Sequence, residues 1–83
     1  MNPIIEVLTP EGLNSFHVDR LINFRELDVN DPEKEVAQTL IRIALPKAEL
    51  IIYSTEDYQT IKAKIDGYYS SLRSHQLVLT SRR

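Results

Sequence analysis

Along residues 58–72, "YQTIKAKIDGYYSSL", the apolar side chains Tyr58, Ile61, Ile65, Tyr68 and Leu72 recur at alternating steps of three and four. That spacing draws one apolar stripe down a helix. The predicted helix runs from Thr55 to about Arg73. Ser54 precedes Asp57 by three residues, the capping-box spacing, with aspartate where glutamate or glutamine is preferred. Glu56 and Asp57 in the first turn suit the positive end of the helix dipole. Gly67 inside the pattern costs up to about 1 kcal/mol relative to alanine, which points to a close contact or a bend there.

Upstream the period changes to two. "IIEVLTP" is rich in β-branched residues and stops at Pro10, so Ile4 to Thr9 is predicted as a first strand. "PEGLN" carries the residue types of a turn. "SFHV" resumes an extended pattern with Phe16 and Val18 on one face and His17 on the other. "DRL" reads as a short turn, and "INFRELDV" as a strand alternating Ile22 and Phe24 against Asn23 and Arg25. "DVNDPEKE" is a loop, because Pro32 lacks an amide hydrogen and disfavours helix at Asp31. "VAQTLIRIAL" is the strongest strand, with Ile41, Ile43 and Leu45 toward the core and Leu40, Arg42 and Ala44 away from it. "PKAE" turns the chain without glycine, and "LIIYS" is the next strand. "QLVLT" near the end has β character and allows a last short strand or an assembly arm over 75–83.

Strands first and helix last give an α+β fold. The expected architecture is one small domain over 1–83, an antiparallel β-meander of four or five strands covered by one C-terminal amphipathic helix. Eighty-three residues correspond to a stability of roughly 4–12 kcal/mol. Cysteine is absent, which removes disulfides and thiolate metal sites and favours a reducing, cytoplasmic setting. The opening "MNPIIEVLTPEG" offers no basic flank and no apolar run of signal-peptide or membrane-span length. The net charge is −2, with acids and bases interspersed and only "SRR" locally basic. Broad nucleic-acid binding usually needs a basic excess.

The ordered elements resemble the short flagellar and swarming motility family that includes FlbD and SwrD. The resemblance is carried by Gly12, Phe16, Val18, Asp19, Leu21 and Ile22, then Thr39, Ile41 and Ile43, then Ile51, Ile52, Ser54, Lys64, Ile65 and Tyr68. It spans about residues 4 to 68 and implies a small β-meander with a helix and no catalytic residue. The loop from Asp28 to Glu35 is longer than the family's, and the chain continues well past Tyr68.

No constellation reaches a catalytic signature. Asp28, Asn30, Asp31, Glu33 and Glu35 gather oxygen ligands in one loop, but the central glycine and twelfth-position glutamate of an EF-hand are missing; a solvated loop explains them. His17 and His75 lie far apart and suit surface positions. With Gly12 and Gly67 the only glycines, neither a P-loop nor a G-x-G-x-x-G exists, and no G-x-S-x-G elbow is present. Phe24 beside Arg25 and near Arg42 resembles a small stacking platform, although core packing explains Phe24 as well. The sequence therefore predicts no cofactor, no metal and no enzyme. It predicts a protein-binding module acting through its C-terminal third, with Tyr69, Leu72, Arg73, Leu77, Val78 and Leu79 as the contact residues and a homodimer as the expected assembly. The second reading is a nucleic-acid-associated regulator using Arg42, Arg73, Arg82 and Arg83.

Overall fold

A computed structural model describes residues 4–81, with side chains described as far as Ser71. The element order is β1 (Ile4–Thr9), β2 (Gly12–His17), β3 (Leu21–Glu26), β4 (Thr39–Leu45), β5 (Ala48–Ser54) and α1 (Tyr58–Ser81). The fold is α+β, with five antiparallel strands and one C-terminal helix. The strands divide into two sheets instead of forming one meander. β1 and β2 make a hairpin, and β3, β4 and β5 make a three-stranded sheet in that order.

Proline shapes both tight hairpins. Thr9 pairs with Gly12 across Pro10 and Glu11, and Leu45 pairs with Ala48 across Pro46 and Lys47. Proline presets φ at the first central position, and among the described residues none other than Gly12 has positive φ. "LPKA" therefore turns without glycine. In the first hairpin Thr9 Oγ1 donates to the Gly12 carbonyl at 2.7 Å and accepts from the Glu11 amide. Residues 12–14 are thus strand from the first paired position, where their turn-prone composition points to a loop.

The core is built from the inward residues of both sheets and the helix. Ile5, Val7, Phe16, Val18, Ile41, Ile43, Ile52, Ile61 and Ile65 are buried together, with Leu21, Phe24 and Tyr68 packed against them. Two sequence assignments need correction. A register shift between Leu21 and Asn23 turns Leu21 and Phe24 inward and leaves Ile22 exposed, because a bulge breaks the period of two. Leu45 is exposed as well, since it lies at the hairpin end beyond the cover of the helix.

The segment between β5 and α1 joins the two sheets. The Leu8 carbonyl accepts from Ser54 Oγ at 2.7 Å and from the Thr55 amide at 2.9 Å, while the Leu8 amide donates to Glu56 Oε2 at 2.7 Å. Thr39 Oγ1 donates to the Glu56 carbonyl at 2.8 Å. Thr39 and Ser54 are fully buried, and these bonds satisfy their hydroxyls, as burial requires. Lys64 then reaches from α1 to the Glu6 carbonyl and the Glu56 carboxylate, each at 2.7 Å.

Asp57, not Ser54, caps α1. Its Oδ1 accepts from the Thr60 amide at 2.8 Å, the usual cap bond to the third helical residue. The helix then runs to Ser81, eight residues past the predicted end. Residues 77–80 are helical and form no last strand. No proline follows the helix start, and adding a turn to an existing helix needs no new nucleus, whereas a new strand does.

Candidate functional site

Two surfaces among the described residues are candidates for contact once the core is assembled. The first is the far half of α1. A helix of 24 residues is about 36 Å long, and Tyr68 is the last described residue packed against the core. Residues 69–81 extend roughly 20 Å further. The radius of gyration is 15.0 Å and the longest dimension 54 Å, against a radius of about 12 Å for a compact chain of this length.

Of the sequence-predicted contact residues, Tyr69 is exposed and touches Tyr68 edge to face, with ring centroids 5.3 Å apart. Leu72, Arg73, Leu77, Val78 and Leu79 lie on the helical backbone beyond it, and their side chains lie outside the described residues. So does the side chain of His75. Arg82 and Arg83 lie outside the described residues altogether.

The second surface is a groove of about 290 Å³ between the β1–β2 turn, the 3₁₀ turn Pro32–Glu35 and the outer face of β5. Pro10, Val36, Ile51 and Tyr53 give it apolar walls, and Thr9, Glu11, Asn14 and Glu33 give it polar ones. Ile52 points into the core, so alternation sends Ile51 and Tyr53 outward. Burial, and then the adjacent Glu33 carboxylate, hold the Tyr53 phenol above its ordinary pKa. Apart from Glu33, weighed as an oxygen ligand in the acidic loop, none of these residues was singled out by sequence as a site. The available signal was "LIIY" in β5, which is apolar on both faces although only one face of the sheet is covered by the helix.

Several of the other polar groups serve the fold. Arg42 binds Glu49 through two hydrogen bonds, 2.7 and 3.1 Å. Arg25 pairs with Asp31 at 3.2 Å, and Asp31 also caps the Asp28 amide at 2.7 Å. The Arg25 hydrogen bond, helped by that amide, holds the Asp31 carboxyl below its ordinary value. Phe24 stacks on Tyr58 with centroids 4.9 Å apart and is half-buried, so the suggested stacking platform is occupied by the helix. His17 is exposed. Among the described residues, no helix is long and apolar enough to cross a membrane.

Charge is less evenly spread than the interspersed pattern implied. All twelve acids precede residue 69, together with seven of the ten lysines and arginines, so residues 1–68 carry −5. Residues 69–83 hold Arg73, Arg82 and Arg83 and no acid, so they carry +3. Comparison with known proteins finds no matching family model, no matching curated protein and no matching solved structure.

Proposed function

We propose that this chain is a small non-enzymatic protein-binding module, a regulator, adaptor or inhibitor that works by occupying a protein surface through its C-terminal third. The observation that carries the reading is the continuation of α1 for more than three turns past Tyr68, its last described core contact. Leu72 and Leu79 follow Ile65 at steps of seven, so the sequence stripe that packs on the sheet continues along the extension. A helix presenting such spacing is a common ligand for an apolar groove.

The non-enzymatic part is supported by what the titratable groups already do. Asp57 caps the helix, Glu56 ties β1 to α1, and Arg25–Asp31 and Arg42–Glu49 are ion pairs. The resemblance to the short motility family points the same way, since it implies no catalytic residue. The nucleic-acid reading loses Arg42 to Glu49, which leaves its remaining cations on residues 73–83.

The test is affinity capture from the native host with the full chain and with Leu72→Asp/Leu79→Asp as baits, followed by mass spectrometry. The expected result is a protein, other copies of the chain included, held by the first bait and lost from the second. An identical retained set for both baits overturns the proposal.

A further inference from the structure

We infer that the groove between the β1–β2 turn and β5 receives residues 69–81 of α1 from a second copy of this chain. The inference rests on the binding reading of α1 and names its partner.

The chemistry of the two surfaces is complementary. The groove has apolar walls at Pro10, Val36, Ile51 and Tyr53, and carboxylates at Glu11 and Glu33. Val36 is 60% exposed and Ile51 39%, so apolar area is left open to water at the site. Ion pairs among the described residues engage Asp31, Glu49, Asp66 and Glu56; Glu11 and Glu33 pair with no cation among those residues. The far segment of α1 has the opposite character, with Leu72, Leu77, Val78 and Leu79 alongside Arg73 and no acid. An acidic groove with an apolar floor selects a basic, apolar helix over an acidic one.

Topology makes the contact intermolecular. The helix of each chain packs on the Ile41 and Ile52 side of its own sheet, whereas Ile51 and Tyr53 face the other way. A helix reaching this groove therefore comes from another molecule. Size favours reciprocity. A helix of about three turns in one groove falls short of the roughly 1,200 Å² that stable interfaces bury. A two-fold exchange, each helix in the other's groove, doubles the area and closes the assembly.

Light scattering over a concentration series tests this on the full chain, with circular dichroism to verify folding. The expected result is a dimer at low salt that weakens as salt rises. Glu11→Arg/Glu33→Arg should weaken it at least about tenfold, as should Arg73→Glu. Combining Glu33→Arg with Arg73→Glu should recover much of the loss. Should Glu33→Arg fail to fold, Glu11→Arg, on an exposed turn, carries the same expectation. A full chain that stays monomeric at every concentration overturns the inference, as does a dimer indifferent to the groove substitutions. If Leu72→Asp/Leu79→Asp then dissolves that dimer, the binding role of α1 stands and only the groove is wrong. If it too has no effect, the binding role loses its support from self-association.

Discussion

The two glycines should respond to alanine with opposite signs. Gly67 lies on the exposed side of α1, and a Cβ built there meets nothing within 4 Å. The close contact that a glycine within a helix suggests is absent from the isolated chain. Gly67→Ala should then gain the full propensity difference, about 1 kcal/mol, part of it through a less flexible unfolded chain. An unfolding entropy of about 2.1 cal/mol/K per residue over this length converts that into a rise in Tm of about 6 °C.

Gly12 also has open space around a built Cβ, but its φ is +126°. L-residues avoid that conformation, and holding one there costs roughly 1–3 kcal/mol. Gly12→Ala should thus lower Tm by about 6 °C or more, without any clash to blame. Thermal melting followed at 222 nm measures both at a concentration where the chain is monomeric. A fall in Tm for Gly67→Ala would mean that residue 67 packs against something, and the free outer side of the helix would be wrong. A neutral Gly12→Ala would mean that the first hairpin does not depend on its turn geometry.

Further outcomes follow from the same contacts. Ile61→Asp and Ile65→Asp each bury an unpaired charge where the wild-type side chains are almost fully covered, at several kcal/mol, and should abolish the cooperative melt; a native-like transition in either refutes the core assignment. Glu56→Ala removes the acceptor for the Leu8 amide and the partner of Lys64 and should cost about 1–2 kcal/mol; in urea melts it should be less than additive with Lys64→Ala, and strict additivity breaks the argument. Asp57 is held below the carboxylate value of 3.8 by the Thr60 hydroxyl and amide. A depressed folded pKa gives stability that is present above about pH 4 and lost as pH falls through the folded value. Asp57→Asn keeps a capping side chain and should flatten the acid limb of a Tm-versus-pH profile, whereas an unchanged slope would remove Asp57 from that account.

Local rules made much of this fold legible. The run "IIEVLT" became β1 with the predicted bounds, and the three-and-four spacing located Ile61 and Ile65 under the helix. The failures arose where a tertiary event overrides a local period. The bulge after Leu21 exchanges Leu21 for Ile22 at the core, and nothing in "RLINF" marks where one strand slips against another. The end of α1 was placed early because "QLVLT" has strand propensity, but propensity yields to a helix already under way. The groove was invisible because Glu11, Glu33 and Ile51 come from three separate segments.

The placement of residues 54–56 explains why an outer face is left over. Ser54, Thr55 and Glu56 bond Leu8 of β1, while Thr39 of β4 holds the Glu56 carbonyl. The same three residues lead into Asp57 and the start of α1. One short junction therefore docks the hairpin and sets where the helix begins. Both are committed to the face carrying Ile41 and Ile52. A chain with one helix cannot also cover the opposite face, yet β5 keeps Ile51 and Tyr53 there. A strand that needed to face only water would have alternated with polar residues at those positions. Its apolar outer positions, Ile51 among them exposed, are the ones that the proposed contact with a second copy would cover.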